Sequence, residues 1–235
     1  MNNILKTTKS GNGNEINLYG CSQAVYKKTI LFIGCMHGDE AQGFELIMRF
    51  LQSGEWRVES GELGGKNNSP LSTLHSPLKK NNRLLFVPCL NPDGVKNNTR
   101  QNARGVDLNR NFPTKNWEKT EKNEFYGGES PNSEKETQFM VEVIADYKPD
   151  VILTFHAPFK IVNYDGPAEK IAQNIAGIIN YPVQKDIGYQ TPGSFGTYCG
   201  VELNIPTITL ELDENEPIET LWERCKDIFS YLAAC

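Results

Sequence analysis

His37 and Glu40 stand three positions apart in the stretch Gly34 to Glu40, and their types and spacing are the first that suggest chemistry. An imidazole and a carboxylate separated by a turn that Gly38 lets tighten can reach one divalent cation from a single loop. The same stretch also reads as an acidic helix start, because Asp39 and Glu40 would favour a helix N-terminus without any metal. A second histidine, His156, ends the apolar run Asp150 to His156 and is followed at once by Ala157 and Pro158. Taken singly it reads as a core histidine. Two histidines at two strand ends can instead converge on one crevice. The third, His75, sits in a polar loop and reads as a surface residue.

Between the two histidines lies an irregular, donor-rich stretch from Arg100 to Pro113 that holds Arg100, Arg104, Asn109, Arg110 and Asn111. It reads equally as a solvated crossing or, if it overlies a metal, as guanidinium forks suited to a substrate carboxylate and a developing oxyanion. Near the C-terminus Glu211 falls in the last part of a strand-like run. The acidic residues Asp213, Glu214 and Glu216 that follow read as the start of a terminal helix.

The elements needed to bring these groups together are visible as periodicity. Buried strands are expected at Thr29 to Ile33, Arg83 to Pro88, Asp150 to His156 and Pro206 to Leu212, each an apolar or alternating run closed by turn residues. Helices are expected at Ala41 to Gln52, after a capping box formed by Ser133 and Glu136 through Tyr147, at Ala168 to Ile179, and from Pro217 to Ala234. Residues 15 to 26 read as an edge strand or hairpin and residues 53 to 82 as surface loop. Residues 114 to 132 and 188 to 196 read as long loops, the first with a site-lining role. Asn91 to Gly94 reads as a turn without chemistry. Strands alternating with helices imply an α/β sheet with its site at the strands' carboxyl ends.

At 235 residues with nothing linker-like, one domain over 1–235 is expected. A net charge of −5 without a Lys/Arg block argues against nucleic acid or an anionic membrane as partner. The N-terminal residues lack the apolar core of a signal peptide and no later run spans a bilayer, so a cytoplasmic location is expected. Six scattered cysteines without a CxxC pair are expected to be reduced and structural.

The strings HGDE at 37–40, NPDG at 91–94, NARGVDLNRNFP at 102–113, FHAP at 155–158, GYQTPGSFGTYC at 188–199 and TLEL at 209–212 together resemble the zinc carboxypeptidase family. The resemblance is closer to its short bacterial members that act as murein peptide amidases. It implies a zinc carboxypeptidase-like α/β fold, with a mixed, mostly parallel twisted sheet and helices on both faces. It further implies one Zn2+ per chain on His37, Glu40 and His156, with Glu211 as general base and Arg100, rather than Arg104, stabilising the oxyanion. Asn109 and Arg110 would bind a free substrate carboxylate, Tyr189 would close over the substrate, and Asp107 would support His37. The implied reaction is hydrolysis of the γ-D-Glu to meso-diaminopimelate bond of murein tripeptide. Removal of C-terminal residues from small peptides, or deacylation of N-acyl amino acids, is the alternative.

Overall fold

The computed structural model describes residues 3–20, 26–54 and 82–235. Seven strands form one sheet in the order β1-β2-β4-β3-β5-β7-β6. In chain order they are β1 (Asn3–Lys9), β2 (Glu15–Gly20), β3 (Thr29–Ile33), β4 (Arg83–Val87), β5 (Val151–His156), β6 (Ile161–Asp165) and β7 (Thr207–Glu211). The four central strands β4, β3, β5 and β7 are mutually parallel, whereas β1, β2 and β6 join at the margins through antiparallel pairings.

The parallel centre follows from residues that are buried on both faces. In β3, Ile30 and Phe32 join an apolar cluster on one face, while Leu31 and Ile33 join another on the opposite face. The first face is covered by α1 (Gln42–Ser53), α4 (Glu169–Ile179) and α5 (Ile218–Ala234), whose apolar stripes supply Leu46, Phe50, Ile175 and Phe229. Phe50 and Phe229 stack with ring centroids 4.4 Å apart, and Phe32 meets Phe229 at 5.0 Å. The second face is covered by α3 (Lys135–Tyr147) through Phe139, Met140 and Val143, together with Phe112 and Phe195 from the loops.

The expected central strands and the four long helices are present to within a few residues. Three readings change. NPDG is more than a turn: Asn91 caps a short helix, α2 (Pro92–Asn97), accepting a hydrogen bond from Gly94 N, with Pro92 in its first turn. The capping box at Ser133 does not form. The N-cap of α3 is Glu134, and Glu136 instead turns its buried carboxylate toward Gly11 N and Asn102 Nδ2. The strands β1 and β6 were not foreseen. The surface-loop reading beyond residue 54, with His75, and the thiol of Cys21 lie outside the described residues. The other five cysteines are free thiols. No helix among the described residues is long and apolar enough to cross a membrane.

Candidate metal centre and its cleft

The loop after β3 is held against β4 and its sequel by backbone bonds: Gly34 N donates to Val87 O, Leu90 N to Gly34 O and Asn91 N to Cys35 O. Asn91 then ties the loop to the arginine stretch, donating from Nδ2 to Met36 O at 3.4 Å and to Arg100 O at 3.2 Å. Gly38 is required at this junction, because a Cβ there would lie 2.0 Å from the Gly94 carbonyl carbon. The NPDG segment therefore fixes His37 and Arg100 relative to one another, a role that the Asn-Pro pair, as a helix-start signal, could have indicated.

β3 and β5 are neighbours, so His37 beyond the end of one faces His156 at the end of the other. The two Nδ1 atoms are 3.2 Å apart. Glu40 spans them, with Oε1 2.8 Å from His37 Nδ1 and Oε2 2.8 Å from His156 Nδ1. All three donor groups lie within 4.8 Å of one another. Ligands about 2.0–2.1 Å from a tetrahedral zinc are separated by about 3.3 Å, so the donor set and its spacing fit that ion. On its other side His37 Nε2 meets Asp107 Oδ1 at 3.1 Å, an arrangement that leaves Nδ1 free to coordinate when Nε2 holds the proton.

Asp107 is fully buried and also accepts two bonds from Arg100, from Nε at 3.0 Å and Nη2 at 2.8 Å. Burial would raise its pKa, but His37 and the Arg100 and Arg110 cations outweigh that and hold it well below the carboxylate range. Burial likewise acts to lower the His37 pKa, yet the facing Glu40 and Asp107 carboxylates carry it up to about 9 in the metal-free site. Glu211, paired in register with His156 across β5 and β7, is pushed up to about 7. Burial is the main cause, with Glu40 adding to it and the histidines opposing. Its Oε2 is buried and has no hydrogen-bond partner among the described residues.

These groups line a cleft that is open to solvent. Arg100, Asn109, Arg110, Tyr189, His37, Glu40, His156 and Glu211 all face it, so it gathers every expected site residue except Asp107, which stands behind His37. Arg104 does not line it. That side chain is exposed and reaches Glu134 at 3.7 Å, which removes the rival to Arg100. Asn109 Oδ1 accepts from Phe195 N at 2.9 Å, fixing the amide so that its NH2 remains available. Tyr189 is half exposed at the rim. Thr154, Asn163, Asp165 and Thr209 also line the cleft and were not singled out from the sequence. For Asn163, Asp165 and Thr209 the signal lay in the alternation of β6 and β7, whereas Thr154 sits in the uniformly buried β5.

The model of the zinc carboxypeptidase family matches residues 2–174. Murein peptide amidase A of Escherichia coli strain K12 is 34% identical over 172 residues, which span 66% of this chain and 69% of that protein. The protein of the same name from Vibrio campbellii is 37% identical over 138 residues, 52% of this chain and 54% of its own length. Among solved structures, the murein-tripeptide amidase of Escherichia coli O157 superposes with a TM-score of 0.73 at 27% identity, covering 97% of this chain and 90% of that one. Carboxypeptidase A of Helicoverpa armigera shares the fold, with a TM-score of 0.74 at 18% identity over 99% of this chain and 69% of that one.

Proposed function

The chain belongs to the zinc carboxypeptidase family of hydrolases, and from that premise we propose that it is an amidase working with one zinc per chain. Its substrate is murein tripeptide, cut at the γ-D-Glu to meso-diaminopimelate bond during recycling of cell-wall peptides in the cytoplasm. The relatives named murein peptide amidase A support this substrate. The observation that carries the reading is the convergence of His37, Glu40 and His156 beside a buried, unpartnered Glu211 oxygen in one cleft.

In this reading His37, Glu40 and His156 hold the metal, and Asp107 fixes the His37 ring. When bound, zinc supplies Lewis acidity that polarises the scissile carbonyl and makes the attacking water more acidic. Glu211 takes the proton of that water at Oε2 and delivers it to the leaving amine. Burial acts to raise its pKa above the ordinary carboxylate value, which makes it a better proton acceptor. Arg100 is anchored from behind by Asp107, and its Nη1, 3.2 Å from His37 Nδ1 and 3.7 Å from Glu40 Oε1, stands beside the metal ligands, where it would stabilise the charge that develops on the carbonyl oxygen. Arg110 and the Asn109 amide bind the free carboxylate of the departing residue, and Tyr189 closes over it from the rim.

Incubation of zinc-loaded protein with L-Ala-γ-D-Glu-meso-diaminopimelate tests the reading. Release of free diaminopimelate is expected. An intact tripeptide alongside trimming of ordinary α-linked peptides would replace this substrate with a general carboxypeptidase activity.

A further inference from the structure

Phe125 follows the polar run Glu118 to Glu124 in the loop of residues 114–132, and 43% of its surface is exposed. A single exposed phenylalanine is ordinary on a protein surface. This one is set apart by what lies against its ring. The guanidinium carbon of Arg100 is 5.4 Å from the ring centroid, and that of Arg110 is 5.7 Å from it. Both fall within the roughly 6 Å over which an aromatic face attracts a cation. The two cations assigned above to the developing oxyanion and to the substrate carboxylate therefore share one ring.

The backbone that carries the ring is pinned beside each arginine. Next to Arg100, Gln101 Nε2 donates to Asn123 O at 2.6 Å, and Asn123 Oδ1 accepts from Phe125 N at 2.8 Å. On the Arg110 side, Asp107 N donates to Tyr126 O at 2.9 Å and Asn111 Nδ2 to Gly127 O at 2.7 Å. The approach there is close enough that a Cβ on Gly127 would lie 2.5 Å from Arg110 O. Phe125 sits between these ties.

The two arginines depend on the ring to different degrees. Arg100 is already held by Asp107. Arg110 is only 7% exposed and, among the described residues, forms no ion pair; its Nη1 donates to Asn109 O at 2.8 Å. Burial disfavours its charge and lowers its pKa, with Asp107 opposing that and the Arg100 cation adding to it. A carboxylate in contact with Arg110 would steady the cation but compete with the substrate carboxylate for its N–H groups. A ring face attracts the charge and leaves the donors in the guanidinium plane free. We propose that Phe125 is a positioning residue, whose ring holds the Arg100 and Arg110 guanidinium groups in place for the substrate without neutralising either. This rests on the peptidase reading of the cleft and adds to it a residue that does not line the cleft itself.

Phe125→Leu and Phe125→Tyr separate the attraction of a ring face from packing, since leucine keeps an apolar side chain and tyrosine keeps the ring. Zinc-loaded wild type and both variants are assayed on L-Ala-γ-D-Glu-meso-diaminopimelate and on the α-linked tripeptide Ala-Ala-Lys. In Phe125→Leu, kcat/KM is expected to fall roughly tenfold, with KM raised through Arg110 and kcat lowered through Arg100. Phe125→Tyr should restore most of that loss. Zinc content and melting temperature should match wild type in both variants. Calorimetric binding of the same tripeptides to metal-free protein should follow the same order. Equal losses in the two variants, or a Phe125→Leu enzyme as active as wild type, would overturn the proposal and leave the peptidase reading intact. A loss accounted for by lower zinc content or a lower melting temperature would overturn it as well. Wild type that neither binds nor cleaves either tripeptide would refute the peptidase reading, and the proposal with it.

Discussion

The two ends of the cleft solve opposite problems. At the metal end almost every polar atom already has a partner: His37 lies between Glu40 and Asp107, and Asp107 also anchors Arg100. At the distal end the hydroxyls of Thr154 and Thr209 and the amide of Asn163 satisfy one another or the backbone, and Asp165 on the same wall is only partly buried. A network of buried charges holds its members in place, so the first end is built for fixed geometry. The distal end, within reach of water, is under no such constraint. Glu211 is the exception within the metal end, with an unpartnered Oε2 that marks where a proton has to be accepted.

The sharpest way to break this contrast is to neutralise that exception. Glu211→Gln is expected to lower kcat by about 10²–10⁴-fold with zinc content unchanged. Because the carboxylate it removes is buried without a full set of partners, thermal stability should hold or rise. Full hydrolysis by this variant would remove Glu211 from its role. With wild type, the acid limb of kcat/KM should lie at or below about pH 7, since burial raises Glu211 to about 7 and a cation at the adjacent ligands lowers it. A profile flat from pH 5 to 7 would contradict the assignment.

Asp107→Asn loosens the network and should weaken zinc affinity by about 10–100-fold. It should also raise kcat/KM losses beyond those explained by metal content, because Arg100 loses its anchor. Zinc affinity equal to wild type would show that the buried Asp107 is not what orients His37.

The metal end also predicts a proton balance. In metal-free protein His37 keeps its proton up to about pH 9, above the ordinary histidine value of about 6.5. A raised histidine stabilises the fold fully below about 6.5 and loses that contribution as pH rises through about 9. Metal-free stability should therefore decline across that window. The zinc-loaded protein should not show the decline, because the proton has been displaced. Calorimetry of zinc uptake in buffers of different ionisation enthalpy should report proton release at pH 7, and none would contradict this account of the site.

The smallest effect belongs to the distal end. Gly196→Ala leaves Asp165 in place chemically but pushes its carboxylate aside, since the added Cβ would sit 2.2 Å from Oδ2. Gly196 has a φ of −60°, so the substitution brings no backbone strain of its own. A stability loss of about 1 kcal/mol or less is expected, with zinc affinity unchanged. An effect on zinc instead would mean that the two ends are not independent.

The same contrast explains what the sequence made legible. The metal end is carried by short contiguous strings at the ends of strongly apolar strands, so His37, Glu40, His156 and Glu211 could be picked out and grouped through the family resemblance. The distal end depends on β6, whose residues Ile161 to Asp165 alternate between core and cleft and carry no strong apolar run. Val162 and Tyr164 pack into the core while Asn163 and Asp165 face the cleft, a division that only strand pairing reveals. The outer strand β1 escaped notice because most of its side chains are exposed. The Ser133 capping box failed for a tertiary reason, Glu136 being drawn to the β1–β2 turn. The role of Asn91 is not legible locally, because it needs the bond to Met36, 55 residues earlier in the chain, beside the one to Arg100.

Stepwise addition of zinc to metal-free protein, with release of diaminopimelate from the tripeptide followed at each step, tests the central claim most directly. Release should rise in proportion to zinc, saturate at one ion per chain, and be abolished by His156→Ala. Undiminished release without metal, or saturation that His156→Ala does not affect, would contradict it.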